Sequence, residues 1–477
     1  MSKLAFFIAF ITMTLTACNT SSIHYRQQIS NEIENGNFTA AKQIIDSVMQ
    51  GISTEEAAQL QFVKDSLHRV ELDFNRTKAE IIAWIEKNQK FTPSDSLLNE
   101  WEASKALEFR IIDGEKRYFR NAAPNIFRVS SSARELLKAA PPKSDTPRDS
   151  LLIDAFNQKV ATDIKGKYLL PKKKVRLHYT LTVNADAVSD GEVLKAWLPY
   201  PRQDIGRQTE VKFIAASQPD FILSDDKTAH TSIYMEQSAQ GGKPTVFSVD
   251  YEFASQGEWF DLSEIEVIPY DKSTDMYKTY TSKRKPHILF SENIKKLTDS
   301  ITRNAQTPVE NLQAIYRYIA ANYPWASALE YSTIGNIPEY VLENRKGDCG
   351  QVALLLITML RYKGIPVRWQ SGWMTHPGEV NLHDWAEVYF EGTGWIPADI
   401  SFGRGGEIAI KPSREFFMSG IDSYRFYINS DYSDGFYPEK KYPRSETVDF
   451  QRGEVETDKR NLYFDEWDYK MQVEYLN

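Results

Sequence analysis

The body of the chain holds one cysteine, Cys349, placed directly after Gly347-Asp348 at the head of the apolar segment "RKGDCGQVALLLITMLRYKGIPVR". A thiol attacks through its thiolate, and it needs a base within hydrogen-bond reach and a third group to orient that base. The downstream stretch "NLHDWAEVYFEGTGWIPADIS" supplies both, as His383 and Asp399. In the order Cys349, His383, Asp399, a nucleophile, a proton carrier and an orienting acid each have a residue. His376 in "MTHPGEVNL" is the rival base and Asp384 the rival acid. His383 is preferred because it opens a strand, whereas His376 adjoins the turn signal Pro377-Gly378. Adjacent strand residues point to opposite faces, which turns Asp384 away from the partner of His383. Paired Cys or His spacings and calcium-loop patterns are both missing from the sequence, so neither a metal nor a cofactor is expected.

These residues need elements to hold them. Val352, Leu355, Leu356, Met359 and Leu360 recur at helical spacing, and Gly364-Ile365-Pro366 ends the run. Cys349 then lies in a first helical turn with Asp348 as N-cap, where unpaired N–H groups and the helix dipole favour a thiolate. The segment after it reads as two strands, His383 to Glu391 and Gly394 to Ser401, joined at Gly392-Thr393-Gly394. With so short a turn the start of one antiparallel strand lies beside the end of the next, which makes His383 and Asp399 neighbours.

The motifs "GDCGQVALLLITMLRYKGIPVRWQSGW", "HDWAEVYF" and "GWIPADIS", with the preceding helix "NLQAIYRYIAANY", resemble the successive motifs of the transglutaminase-like superfamily. The resemblance runs over residues 308 to 402 and implies a papain-like core with Cys349 as nucleophile, His383 as base and Asp399 as orienting acid. It further implies a thioester formed with peptide or protein carboxamides and resolved by hydrolysis or by transfer to an amine. The residues do not separate those two outcomes. A protein of the other class, a binding or assembly lipoprotein that reuses the fold with an idle thiol, is the alternative.

The rest of the chain frames this core. Its 477 residues, 42% hydrophobic and 26% charged with a formal net charge of -8, describe a folded body without the basic footprint of a nucleic-acid binder. At the N-terminus Lys3, the apolar run "LAFFIAFITM" and "LTAC" resemble a bacterial lipoprotein signal, which implies removal of the leader and a lipid on Cys18. Lipid on Cys18 places the protein in the cell envelope, and Asn19 resembles an outer-membrane sorting signal. It also leaves Cys349 as the one free thiol. Residues 24 to 140 read as a helical domain able to dock an envelope protein, and 141 to 172 as a linker region around "AAPPKSDTPRDS". Alternating short segments over 173 to 262 read as a β-sandwich-like domain, 263 to 402 as the catalytic core, and 403 to 477 as an aromatic-rich extension packing on it. The fold class expected is α+β.

Overall fold

The computed structural model describes residues 20–137, 147–225, 227–403 and 411–476, so Cys18 and its leader lie outside the described residues. The fold is α+β, with a helical N-terminal region and sheets beyond it. The described residues divide into two compact units, one holding those up to 137 together with 324–347, the other holding those from 147 to 323 and from 348 onward. No helix among the described residues is long and apolar enough to cross a membrane.

The first unit is built of helices that begin where polar caps allow. Ser53, Thr77 and Ser94 each accept a hydrogen bond from the backbone three residues on, and Glu80 completes a capping box with Thr77. A hairpin, Phe109–Ile112 with Glu115–Tyr118, follows. Residues 324–347, assigned from sequence to the catalytic core, cluster with this unit. Buried polar ties explain the difference. Glu330 N donates to Asp73 Oδ2 at 2.8 Å, Asn125 Nδ2 donates to the Ser327 carbonyl at 3.0 Å, and Lys346 pairs with Glu108 at 3.0 Å.

The second unit contains three sheets. Two form a sandwich around one apolar core that takes Leu177, Phe247 and Trp467 from a six-stranded sheet and Leu194, Ile233 and Val455 from a five-stranded one. The inner residues alternate along the long antiparallel pair Lys167–Val183 and Thr245–Phe260, as period-two patterning requires. The structure draws the sequence boundaries differently on both sides of this sandwich. The expected linker includes a helix, Pro147–Asn157, and the start of the strand at Lys167. The expected extension is woven into every sheet of the unit: Trp467–Leu476 pairs with Lys167–Val183, Glu454–Glu456 with Val193–Pro199, and Arg425–Asn429 with Val367–His376. Phe426, Tyr427 and Trp467 bury their rings as sheet members, which is where such residues are most favourable.

The third sheet carries the site. Its four strands run in the order Gly394–Ala398, Glu379–Phe390, Val367–His376, Arg425–Asn429. The cysteine helix, Cys349–Tyr362, packs on two of these strands and against helices Glu292–Ile301 and Pro308–Asn322. It is therefore buried from Gly350 to Arg361 on all sides rather than along one stripe. Opposite His383 in the ladder stands Gly372, where a bulge brings Phe426 O so close that an added Cβ would lie 1.8 Å from it. Only glycine lets the last strand approach this strand so closely at that position.

Candidate active site

Cys349 occupies the first position of its helix. Asp348 is the N-cap: its Oδ1 accepts from Gln351 N at 3.0 Å while Gln351 Oε1 accepts from Asp348 N at 3.3 Å. By position the N–H of Cys349 has no intrahelical acceptor, so it is available to an oxyanion. The residue retains partial solvent access. Its thiol does not sit in an electropositive pocket, however. Sγ donates to Asp384 Oδ2 at 3.3 Å, and burial, then Asp384 and Asp348, push the thiol well above its ordinary range. The expected effect of the helix end on the thiolate is outweighed by desolvation and two neighbouring acids.

His383 is the fifth residue of its strand rather than the first, because "MTHPGEVNL" forms a hairpin that continues the preceding strand through His376. Its Nε2 meets Asp399 Oδ2 at 2.7 Å. The ladder ends at Ala386 opposite Ala398, so Asp399 leaves the sheet one residue later with its carboxylate turned back to the histidine. The Phe402 ring lies on the imidazole, with centroids 4.4 Å apart. Burial lowers the histidine's proton affinity, and Asp399 opposes that effect. An anionic acceptor at Nε2 fixes the Nε2–H tautomer and leaves the Nδ1 lone pair free to take a proton.

Asp399 is the most heavily supported group of the site. Oδ1 accepts from the backbone of Ser401 at 3.1 Å and of Phe402 at 3.2 Å, while the Tyr316 hydroxyl donates to its carbonyl at 2.9 Å. Arg425 Nη2 lies 3.1 Å from Oδ2 and 2.8 Å from Asp422 Oδ2, and Asp422 Oδ1 lies 3.1 Å from His376 Nε2. Burial alone would raise the Asp399 carboxyl, but His383 and Arg425 outweigh it and hold it below the usual carboxylate range. His376, the rival base, thus sits at the far end of this chain, on Asp422.

Sequence reasoning did not find Arg425, Asp422 or Gln451. The first two stand three residues apart amid the aromatics of "FFMSGIDSYRFYIN", an apolar setting in which a charged pair signals burial. Gln451 Nε2 donates to the His383 carbonyl at 2.9 Å and to Asp384 Oδ1 at 2.7 Å. Asp384, set aside as an orienting acid because it faces away from Asp399, is the residue that the thiol touches.

Residues 295–400 match the model of the transglutaminase-like superfamily. A curated relative, the "Uncharacterized protein YebA" of Bacillus subtilis, is 22% identical over 200 residues, which are 38% of this chain and 27% of that protein's length. Among solved structures, the "Putative Cysteine Protease" of Cytophaga hutchinsonii is 14% identical with a TM-score of 0.43, covering 65% of this chain and 93% of its own. The periplasmic domain of TgpA from Pseudomonas aeruginosa is 15% identical with a TM-score of 0.26, covering 63% and 83%. The segment that carries the cysteine helix, the histidine strand and the turn to Asp399 is a transglutaminase-like domain.

Proposed function

We propose that the protein is a thiol-dependent amide hydrolase or acyltransferase acting on peptide or protein carboxamides. The observation that carries this reading is the buried His383–Asp399 hydrogen bond of 2.7 Å beside the strand residue that the Cys349 thiol touches. In the forward step the thiol proton passes to Nδ1 of His383 and Sγ attacks the carboxamide carbon. The resulting oxyanion lies toward the N–H of Cys349 at the helix start. His383 then gives its proton to the departing amine as the C–N bond breaks, leaving a thioester on Cys349. Water or a second amine adds to the thioester and frees the thiol. Asp399 holds the imidazole in one tautomer and offsets the charge of the imidazolium throughout. A lipid on Cys18 would hold this chemistry in a bacterial envelope, at the outer membrane facing the periplasm or the cell surface. The helical region is a docking surface for an envelope protein on the same reading.

The test is trapping of the acyl-enzyme. The full-length protein is incubated with a glutamine-rich peptide library and a fluorescent primary amine, and intact mass is followed together with release of ammonia or peptide amine. An adduct on Cys349 that Cys349→Ala and His383→Ala both abolish is the expected result. Absence of any adduct, released amine or incorporated label across the library would sink the enzymatic reading.

A further inference from the structure

The side chain within hydrogen-bond distance of the nucleophile is not the histidine. The Cys349 thiol donates to Asp384 Oδ2 at 3.3 Å, and the other oxygen of Asp384 accepts from Gln451 Nε2 at 2.7 Å. Asp384 is 3% exposed and Asp449, with which it shares a hydrogen bond, 5%. The groups facing Asp384 can be named from each element around it. Asp348 and Cys349 come from the helix start, and Asp449 and Gln451 from the segment before Glu454. Ser371 stands opposite it in the ladder, and His383 beside it on its own strand is turned to Asp399. Arg452 and Arg444 act on Asp449, one step removed. Two acids, Asp384 and Asp348, thus stand beside the thiol.

We propose that Asp384 is a positioning residue that keeps Cys349 as a neutral thiol in the substrate-free protein, so that formation of the nucleophile is coupled to withdrawal of this carboxyl. When Asp384 turns away, the S–H bond breaks, its proton forms an N–H bond at Nδ1 of His383, and the thiolate–imidazolium pair appears. Nothing else is consumed. The pKa directions agree with this geometry: burial followed by Asp384 raises the thiol, and burial followed by Asp449 raises Asp384. The purpose of the latch rests on the proposed thiol chemistry, but its existence does not.

The experiment is alkylation of Cys349 by iodoacetamide against pH in the full-length protein, read by mass spectrometry of the peptide that contains it. The midpoint of the profile is the readout, because changed access alters the plateau and not the midpoint. The wild-type midpoint is expected above the free-cysteine value of about 8.5. Asp384→Asn and Asp384→Ala are expected to lower it by about one pH unit or more, which is about tenfold faster alkylation at pH 7. A structural role alone would not lower the midpoint. A wild-type midpoint at or below the free value overturns the proposal whether or not the variants fold. Variants with native circular dichroism and an unchanged or raised midpoint overturn it as well. A lowered midpoint in a protein that forms no acyl-enzyme leaves the latch standing and removes the enzymatic reading instead.

Discussion

The two arms of the site treat charge in opposite ways. Around His383 the buried acids alternate with basic groups, running from His383 through Asp399, Arg425 and Asp422 to His376, with contacts of 2.7 to 3.1 Å. Around Cys349 acids cluster instead, with Asp384 and Asp348 acting on the thiol and Asp449 acting on Asp384. Burial penalises charge in both places, and the outcome depends on what is buried beside it. In the first arm opposite charges hold both carboxyls below their usual range, Asp422 by Arg425 and His376 and Asp399 by His383 and Arg425. In the second the Asp384 carboxyl and the Cys349 thiol are both pushed up. One arm favours charge on its acids before any substrate arrives, while the other disfavours it.

Removing the central cation is the largest way to break this contrast. Arg425→Met would leave Asp399 and Asp422 buried without it, a loss of about 3–5 kcal/mol at neutral pH by chemical denaturation. The sign with pH follows from the depressed carboxyls. Their contribution is present above the unfolded value near 3.8 and is lost as pH falls below it, so wild type and variant should converge in acid. A variant as stable as wild type at pH 7 would mean that the alternating charges do not hold this arm.

The acidic arm should answer in the other direction. Burial, then Asp348, raises the Asp449 carboxyl to about 6, with Arg452 and Arg444 working against them. Such a group favours folding below its unfolded value near 3.8 and costs stability as pH rises from there to about 6. Each pH unit between those two values is worth about 1.4 kcal/mol. Asp449→Asn is therefore expected to stabilise the protein at pH 7 by up to about 3 kcal/mol and to have no effect at pH 4. A loss at pH 7 would show that the carboxylate is held by its arginines rather than opposed by its neighbours.

Much of the site is legible because its signals are local. The helical repeat from Val352 to Leu360, the Asp348 cap and the two-glycine turn at 392–394 place Cys349, His383 and Asp399 with no tertiary knowledge. The rest depends on contacts between distant segments. Gln451 reaches Asp384 across 67 residues. Strand alternation turns Asp384 away from Asp399, yet it does not say that Asp384 meets the thiol. The aromatic tail reads from sequence as an extension packing on the core for a similar reason: period-two patterning marks strands but not the sheet they join.

The smallest expected effect concerns the far end of the first arm. His376 Nε2 lies 3.1 Å from Asp422 Oδ1, and the side chain is 2% exposed. Its Nδ1 has no hydrogen-bond partner among the described residues. A glutamine can place an amide N–H on the same carboxylate oxygen, so His376→Gln exchanges one donor for another, and a net hydrogen bond contributes only about 0.5–1.5 kcal/mol. Stability should change by less than about 1 kcal/mol, with the Cys349 alkylation midpoint unmoved. Two acids and an arginine separate this ring from His383, and Arg425 already neutralises the charge that His376 faces. If instead the exchange abolished thioester formation while the fold stayed intact, the base would have to be sought at His376 rather than at His383.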